Sequence, residues 1–188
     1  MKKKLLKLLI ISAFTFTTLI GCGNVSEDEV KNNLSIESEN TTDQTQDIYD
    51  AVVKAYGEDY YPSLKLDEET ITNMIGLTPD MYESCIAEGP RMSSQVDTFI
   101  VVKATEGKSS EVTDKLTEYR DSLIYDTLQY PMNMLKIQAS KVVTEGDYVF
   151  FIMLGASDNK LKEDDEIYQH FSVQNDIAIN TIESFFNK

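Results

Sequence analysis

Gly146-Asp147-Tyr148-Val149-Phe150-Phe151-Ile152-Met153-Leu154 is a tight-turn dipeptide followed by the most apolar run outside the N-terminal segment. Gly-Asp suits the turn of a two-residue β-hairpin. A strand with no polar alternation suits a sheet covered on both faces, so Tyr148 to Leu154 is expected in the middle of a sheet. Before the turn, Ile137, Ala139, Lys141 and Val143 alternate with Gln138, Ser140, Val142 and Thr144, the pattern of an edge strand. Further upstream, strand signals begin at Val96, and Phe99-Ile100-Val101-Val102 is again apolar on both faces. Between these runs Glu111 to Leu128 has Val112, Leu116, Tyr119 and Leu123 at helical spacing, with Glu111 and Lys115 paired at i, i+4, and Tyr130-Pro131 breaks it.

The order is strand, helix, strand, hairpin, strand. The expected fold is therefore α+β, with a small three-stranded mixed sheet in the order second-third-first. A right-handed crossover would join its parallel strands. Short helices are expected ahead of it. Asp47 to Tyr56 carries an apolar stripe at Ile48, Ala51, Val52, Ala55 and Tyr56 that Gly57 can end. Asp67 reads as an N-cap for a helix burying Ile71, Met74 and Ile75. Thr78-Pro79 reads as the start of another, with Met81, Tyr82, Cys85 and Ile86 inward and Gly89-Pro90 closing it. Asn175 to Phe186, with Ala178, Ile182, Phe185 and Phe186 inward, is expected to close the fold. Asp158 to Ser172 reads equally as helix or loop.

The first residues follow different rules. Lys2, Lys3, Lys4 and Lys7 precede an apolar run from Leu8 to Ile20, within the roughly 7–15 residues of a secretory signal and short of the about 20 needed to span a bilayer. Leu19-Ile20-Gly21-Cys22 resembles a bacterial lipobox. That resemblance implies diacylglycerol on Cys22, cleavage between Gly21 and Cys22, and so two acyl chains, enough for stable anchoring. The expected organisation is a signal peptide over 1–21, lipidated Cys22 with an acidic tether over 22–45, and one globular domain over 46–188. A coil of that length spans roughly 25 Å, at about 5–6 Å times the square root of residue number.

The signal takes four of the 17 basic residues with it, leaving 13 against 32 acidic ones, a net charge of −19. Nucleic acid is excluded as a partner, because affinity for phosphate needs clustered Lys and Arg. With Cys22 acylated, Cys85 stands alone and no internal disulfide forms, so the core must hold the fold. The three N-x-S/T sequons of the tether carry no weight in a bacterial chain.

No nucleophile, phosphate loop or metal motif is legible. The lone histidine, His170, lies in a charged stretch, and H-E-x-x-H, paired C-x-x-C and G-x-S-x-G are all absent. Ser157-Asp158-Asn159-Lys160 fits S-x-x-K and S-D-N at once, but one serine cannot serve two converging elements. It reads as a capping loop. Glu163-Asp164-Asp165-Glu166 lacks EF-hand spacing and reads as a helix start. Cys85 reads as a small apolar residue, and Tyr60-Tyr61-Pro62 as a loop packed on the sheet.

Two capped helices, then Asp97-Thr98-Phe99-Ile100-Val101-Val102-Lys103, a long polar helix and Glu145-Gly146-Asp147-Tyr148-Val149-Phe150-Phe151 follow one another in a familiar order. Over about Ile48 to Leu154 the chain resembles the lipoprotein family known as domain of unknown function 4358, common in Gram-positive anaerobes. Asp158 to Ser172 is longer than that family's pattern. The resemblance implies no catalytic residue, no cofactor and no metal. The expected protein is a non-catalytic interaction or binding module, lipid-anchored at the outer face of the bacterial cytoplasmic membrane. Its expected partners are membrane lipid through Cys22 and an unidentified envelope protein. A small-solute or cation-binding accessory to a transporter is the alternative, and an envelope hydrolase comes behind both.

Overall fold

A computed structural model describes residues 42–187. Gly21 and Cys22, the expected cleavage and lipidation site, lie outside the described residues.

At the centre are β3 (Thr98–Ala104) and β5 (Tyr148–Met153), paired antiparallel from Thr98↔Met153 to Lys103↔Tyr148. Every residue of β5 is buried. Their side chains divide between two cores. Ile100, Val102, Val149 and Phe151 enter one, and Phe99, Val101, Phe150 and Ile152 enter the other. Alternation along a pleated strand makes that division automatic once both faces are covered. On the first face lies α3 (Ser109–Tyr125), contributing Val112 and Leu116. The other face is covered by α1 (Thr45–Tyr56) and α5 (Asp164–Phe186), through Ile48, Val52, Ala178 and Ile182.

The sheet corrects the expectation. Among the described residues it has five strands, in the order β1-β2-β3-β5-β4 with β4 at Lys141–Glu145, and every neighbouring pair is antiparallel, so it is not a three-stranded mixed sheet. The added strands are β1 (Leu64–Lys65) and β2 (Tyr82–Gly89). β2 replaces the expected helix over Met81 to Ile86, of which only a single 3-10 turn at Pro79–Met81 survives. The apolar spacing at 81, 82, 85 and 86 does fit a helical stripe. In the fold, however, Cys85 packs against one core and Ile86 against the other. The edge of β3 remote from β5 needs hydrogen-bond partners, and β2 supplies them.

A second correction lies upstream of the hairpin. The expected strand from Ile137 is instead α4 (Met134–Ala139), and β4 begins only at Lys141 and ends at Glu145. Lys136 and Ile137 are both buried, and Arg120 of α3 donates to the carbonyl oxygens of Gln138 (3.1 Å) and Ser140 (3.2 Å) where α4 ends. β4 and β5 meet through Gly146-Asp147, with Gly146 at φ 59°. Asp67 accepts from the Thr70 amide (2.8 Å) at the start of α2 (Glu68–Thr70), which runs on into one π-helical turn at Ile71–Ile75. Met74 points to solvent rather than into the core. The stretch left open is loop to Glu163 and helix from Asp164.

These pairings define two ends of the molecule. At one lie Tyr82, Ala104, Tyr148 and the β4–β5 turn. The described chain comes in there, where the Gln44 amide donates to the Tyr148 hydroxyl (2.8 Å) and the Thr45 and Ser84 hydroxyls are 2.6 Å apart. Gly89, Thr98, Met153 and Lys141 mark the opposite end, where three loops gather.

Candidate functional site

Those three loops are 90–97, 126–133 and 154–163, and one buried ammonium ties the elements that carry them. Lys136 of α4 bonds the carboxylate of Asp97, just before β3, and donates to the carbonyl oxygen of Gly155, just after β5 (2.7 Å). Its nitrogen also lies 5.2 Å from the centre of the Phe171 ring of α5. Lys136 and Asp97 are each only 5% exposed. Burial pushes the Asp97 carboxyl above its usual range and the Lys136 ammonium below its own, while the attraction between them opposes both shifts. Asn133 Nδ2 donates to the Ser94 carbonyl oxygen (3.1 Å), joining two of the loops.

Around this tie runs a trough open to solvent. It holds two adjoining cavities of about 390 and 400 Å³ that share Met132, Asn133, Ser157 and Phe171. Leu135, Ile167 and Phe171 give the first an apolar lining, with Ser157, Asp158 and Asp164 among its polar residues. The second is lined by Asp97, Lys136 and Gly155. The 126–133 loop, which lends Met132 to both cavities, carries large apolar side chains into water. Leu128 is fully exposed, Met132 is 77% exposed and Tyr130 is half-exposed, with Tyr125 beside them at the end of α3. Lone apolar side chains on a surface are ordinary, but four within eight residues are not.

The residues singled out from sequence are scattered with respect to this trough. His170 lines it, but its Nε2 lies 2.8 Å from the Ala156 carbonyl oxygen and its ring packs edge-on to Phe171. Asp158 accepts from the Lys160 amide (2.9 Å), closing the loop of the Ser157 tetrapeptide. Glu163-Asp164-Asp165-Glu166 forms the N-cap and first turn of α5, where acids complement the helix dipole. Among the described residues, no group of three or more His, Cys, Asp or Glu side chains could hold a metal. Cys85 sits half-buried on β2, and burial pushes its thiol up to about 12, far from a reactive thiolate.

Tyr60 turns inward while Tyr61 stays at the surface. Its hydroxyl and that of Tyr49 both donate to the buried Glu88 carboxylate, at 3.0 and 2.6 Å. Burial and the neighbouring carboxylate push the Tyr49 phenol up to about 12. Both phenols keep their protons and stay donors, so this cluster fastens α1 to β2. Sequence reasoning missed Glu88, Asp97 and Lys136. Lys136 and Asp97 stand 39 positions apart, and neither falls in a motif that marks it.

With the geometry in place, comparison with known proteins adds one assignment. The family described as Domain of unknown function (DUF4358) matches residues 55–154, more than half of the 188-residue chain. The chain belongs to this family. Nothing among curated proteins matches it, and no solved structure does either. The matched DUF4358 segment contains every described strand of the sheet, α3 and α4, but only the last two residues of α1 and none of α5. Two walls of the trough, 90–97 and 126–133, are thus family sequence, and the wall from 155 onward lies beyond the match.

Proposed function

We propose that the protein is a non-catalytic interaction module. Lipid on Cys22 holds it at the outer face of the bacterial cytoplasmic membrane, and it grips an envelope protein with the trough. The single observation that carries this reading is an open trough lined by Met132, on a stretch of chain that also exposes Tyr125, Leu128 and Tyr130. Water-facing apolar groups gathered in one place cost solubility unless a partner covers them. Residues 42–45, through which an N-terminal anchor connects, lie at the opposite end of the sheet, so anchoring there leaves the trough unobstructed. The absence of chemistry in this reading draws support from His170, whose Nε2 faces the Ala156 main-chain carbonyl and not a hydroxyl or thiol.

The test is a photo-crosslinking amino acid placed at Met132 in intact cells, with Asp147 in the hairpin turn as the control position. A discrete protein adduct from position 132 and none from 147 is expected. Equal yields from both positions, or none from 132, would refute the reading. Replacing Cys22 with alanine should release the protein from the membrane fraction.

A further inference from the structure

We propose that the trough takes an extended peptide segment carrying one large apolar side chain beside a lysine or arginine. This rests on the interaction reading above and names the chemistry of the partner. The first cavity, at about 390 Å³, is at the small end of the roughly 300–1,000 Å³ of ligand pockets. Its apolar lining of Leu135, Ile167 and Phe171 admits one large apolar side chain rather than a folded surface. The trough is open to solvent, so an extended chain can lie in it, with Asn133, Ser157 and Asn159 offering hydrogen bonds to main-chain groups.

Charge selects what stands next to that side chain. Asp158 and Asp164 line the first cavity with Lys162, and the same stretch, 158–166, also carries Glu163, Asp165 and Glu166 against Lys160. Among the described residues none of those five carboxylates is in an ion pair, and all five are exposed. Lys162 is turned to the carbonyl oxygen of Asn159 (2.8 Å). The whole chain is negative as well, at −15. An acidic segment is repelled from this stretch and a cationic one is drawn to it, an attraction that works over about 10 Å at 0.1 M salt and fades as salt rises. An anionic lipid surface fails the same electrostatic test.

Fluorescence anisotropy with the full chain in phosphatidylcholine nanodiscs tests the assignment. The probe is fluorescein-labelled Lys-Phe-Lys-Leu-amide, compared with labelled Glu-Phe-Glu-Leu-amide and Lys-Ser-Lys-Ser-amide. The first should bind at least tenfold tighter than either of the others. Met132→Lys and the pair Asp158→Asn/Asp164→Asn should each weaken it at least threefold, the second effect shrinking as salt is raised from 50 to 300 mM. All three positions are exposed, and an unchanged circular dichroism spectrum confirms that these variants fold.

Equal binding of the two lysine peptides, no effect of either variant, or equal binding to empty nanodiscs would overturn the proposal. A crosslinked partner at Met132 together with no peptide binding overturns the peptide chemistry and leaves the interaction reading standing. No crosslink at Met132 overturns that reading and this one with it.

Discussion

Separating Lys136 from Asp97 should cost more than any single apolar truncation at the surface. In Asp97→Leu the ammonium stays buried with one carbonyl oxygen, that of Gly155, and the face of Phe171 for company. Removing one partner of a buried ion pair costs about 3–5 kcal/mol, because the other charge is left uncompensated. For a domain of about 150 residues that is a fall in Tm of roughly 6–20 °C, at roughly 2–4 °C per kcal/mol. Total stabilities of about 5–15 kcal/mol leave little margin for such a loss.

Lys136→Met should cost a similar amount with a distinct pH signature. The attraction that held the Asp97 carboxyl down is gone and burial remains, so its folded pKa rises further above the ordinary 3.8. A raised folded pKa means stability that is fully present below the unfolded pKa and lost as pH climbs through the folded one. The deficit of Lys136→Met against the wild type should therefore widen as pH rises past the wild-type Asp97 pKa, itself above 3.8, towards the still higher pKa of the variant. The double variant Asp97→Leu/Lys136→Met leaves neither charge stranded and should lie within about 1–2 kcal/mol of the wild type. Urea denaturation followed by far-ultraviolet circular dichroism, from pH 4 to 8, reads all three variants. Single losses that add to within about 0.5 kcal/mol in the double variant would show that the two groups do not depend on one another. The account of the loop tie would then be wrong.

Three further outcomes follow from other positions. Gly155→Ala should destabilise by about 2–5 kcal/mol, through a left-handed backbone and overpacking. Gly155 has φ 111°, and an added Cβ would lie 2.4 Å from the Gln174 Cβ, so Gln174→Ala, which keeps that atom, should not rescue it in urea titrations. Asn175→Leu strips the Leu154 amide of its acceptor and the Ala139 carbonyl of its donor, both in full burial. A loss of about 2–5 kcal/mol is expected, with faster amide exchange at Leu154 as the local readout. At pH 8, alkylation of Cys85 in the native protein should run roughly a thousandfold slower than in urea, because a thiol near 12 holds that much less thiolate than one near 9. Peptide mass mapping distinguishes it from Cys22.

What local sequence determined was whatever rests on near neighbours along the chain. The Gly146-Asp147 turn, the two-faced strands beside it, the Asp67 cap and the stripe of α1 all follow from spacings of a few residues. Only the tertiary structure decided that Tyr82 to Ile86 is a strand, since its apolar spacing also suits a helix and the open edge of β3 settles the matter. It also decided that the stretch from Ile137 continues a helix rather than an edge strand, and that Lys136 beside it makes a buried tie, because Asp97 and Gly155 must be brought to it from 39 and 19 positions away. The trough belongs to this second class. Its walls come from three loops that meet only when the strands bearing them pair, and single-chain periodicity carries no trace of contacts made across a sheet.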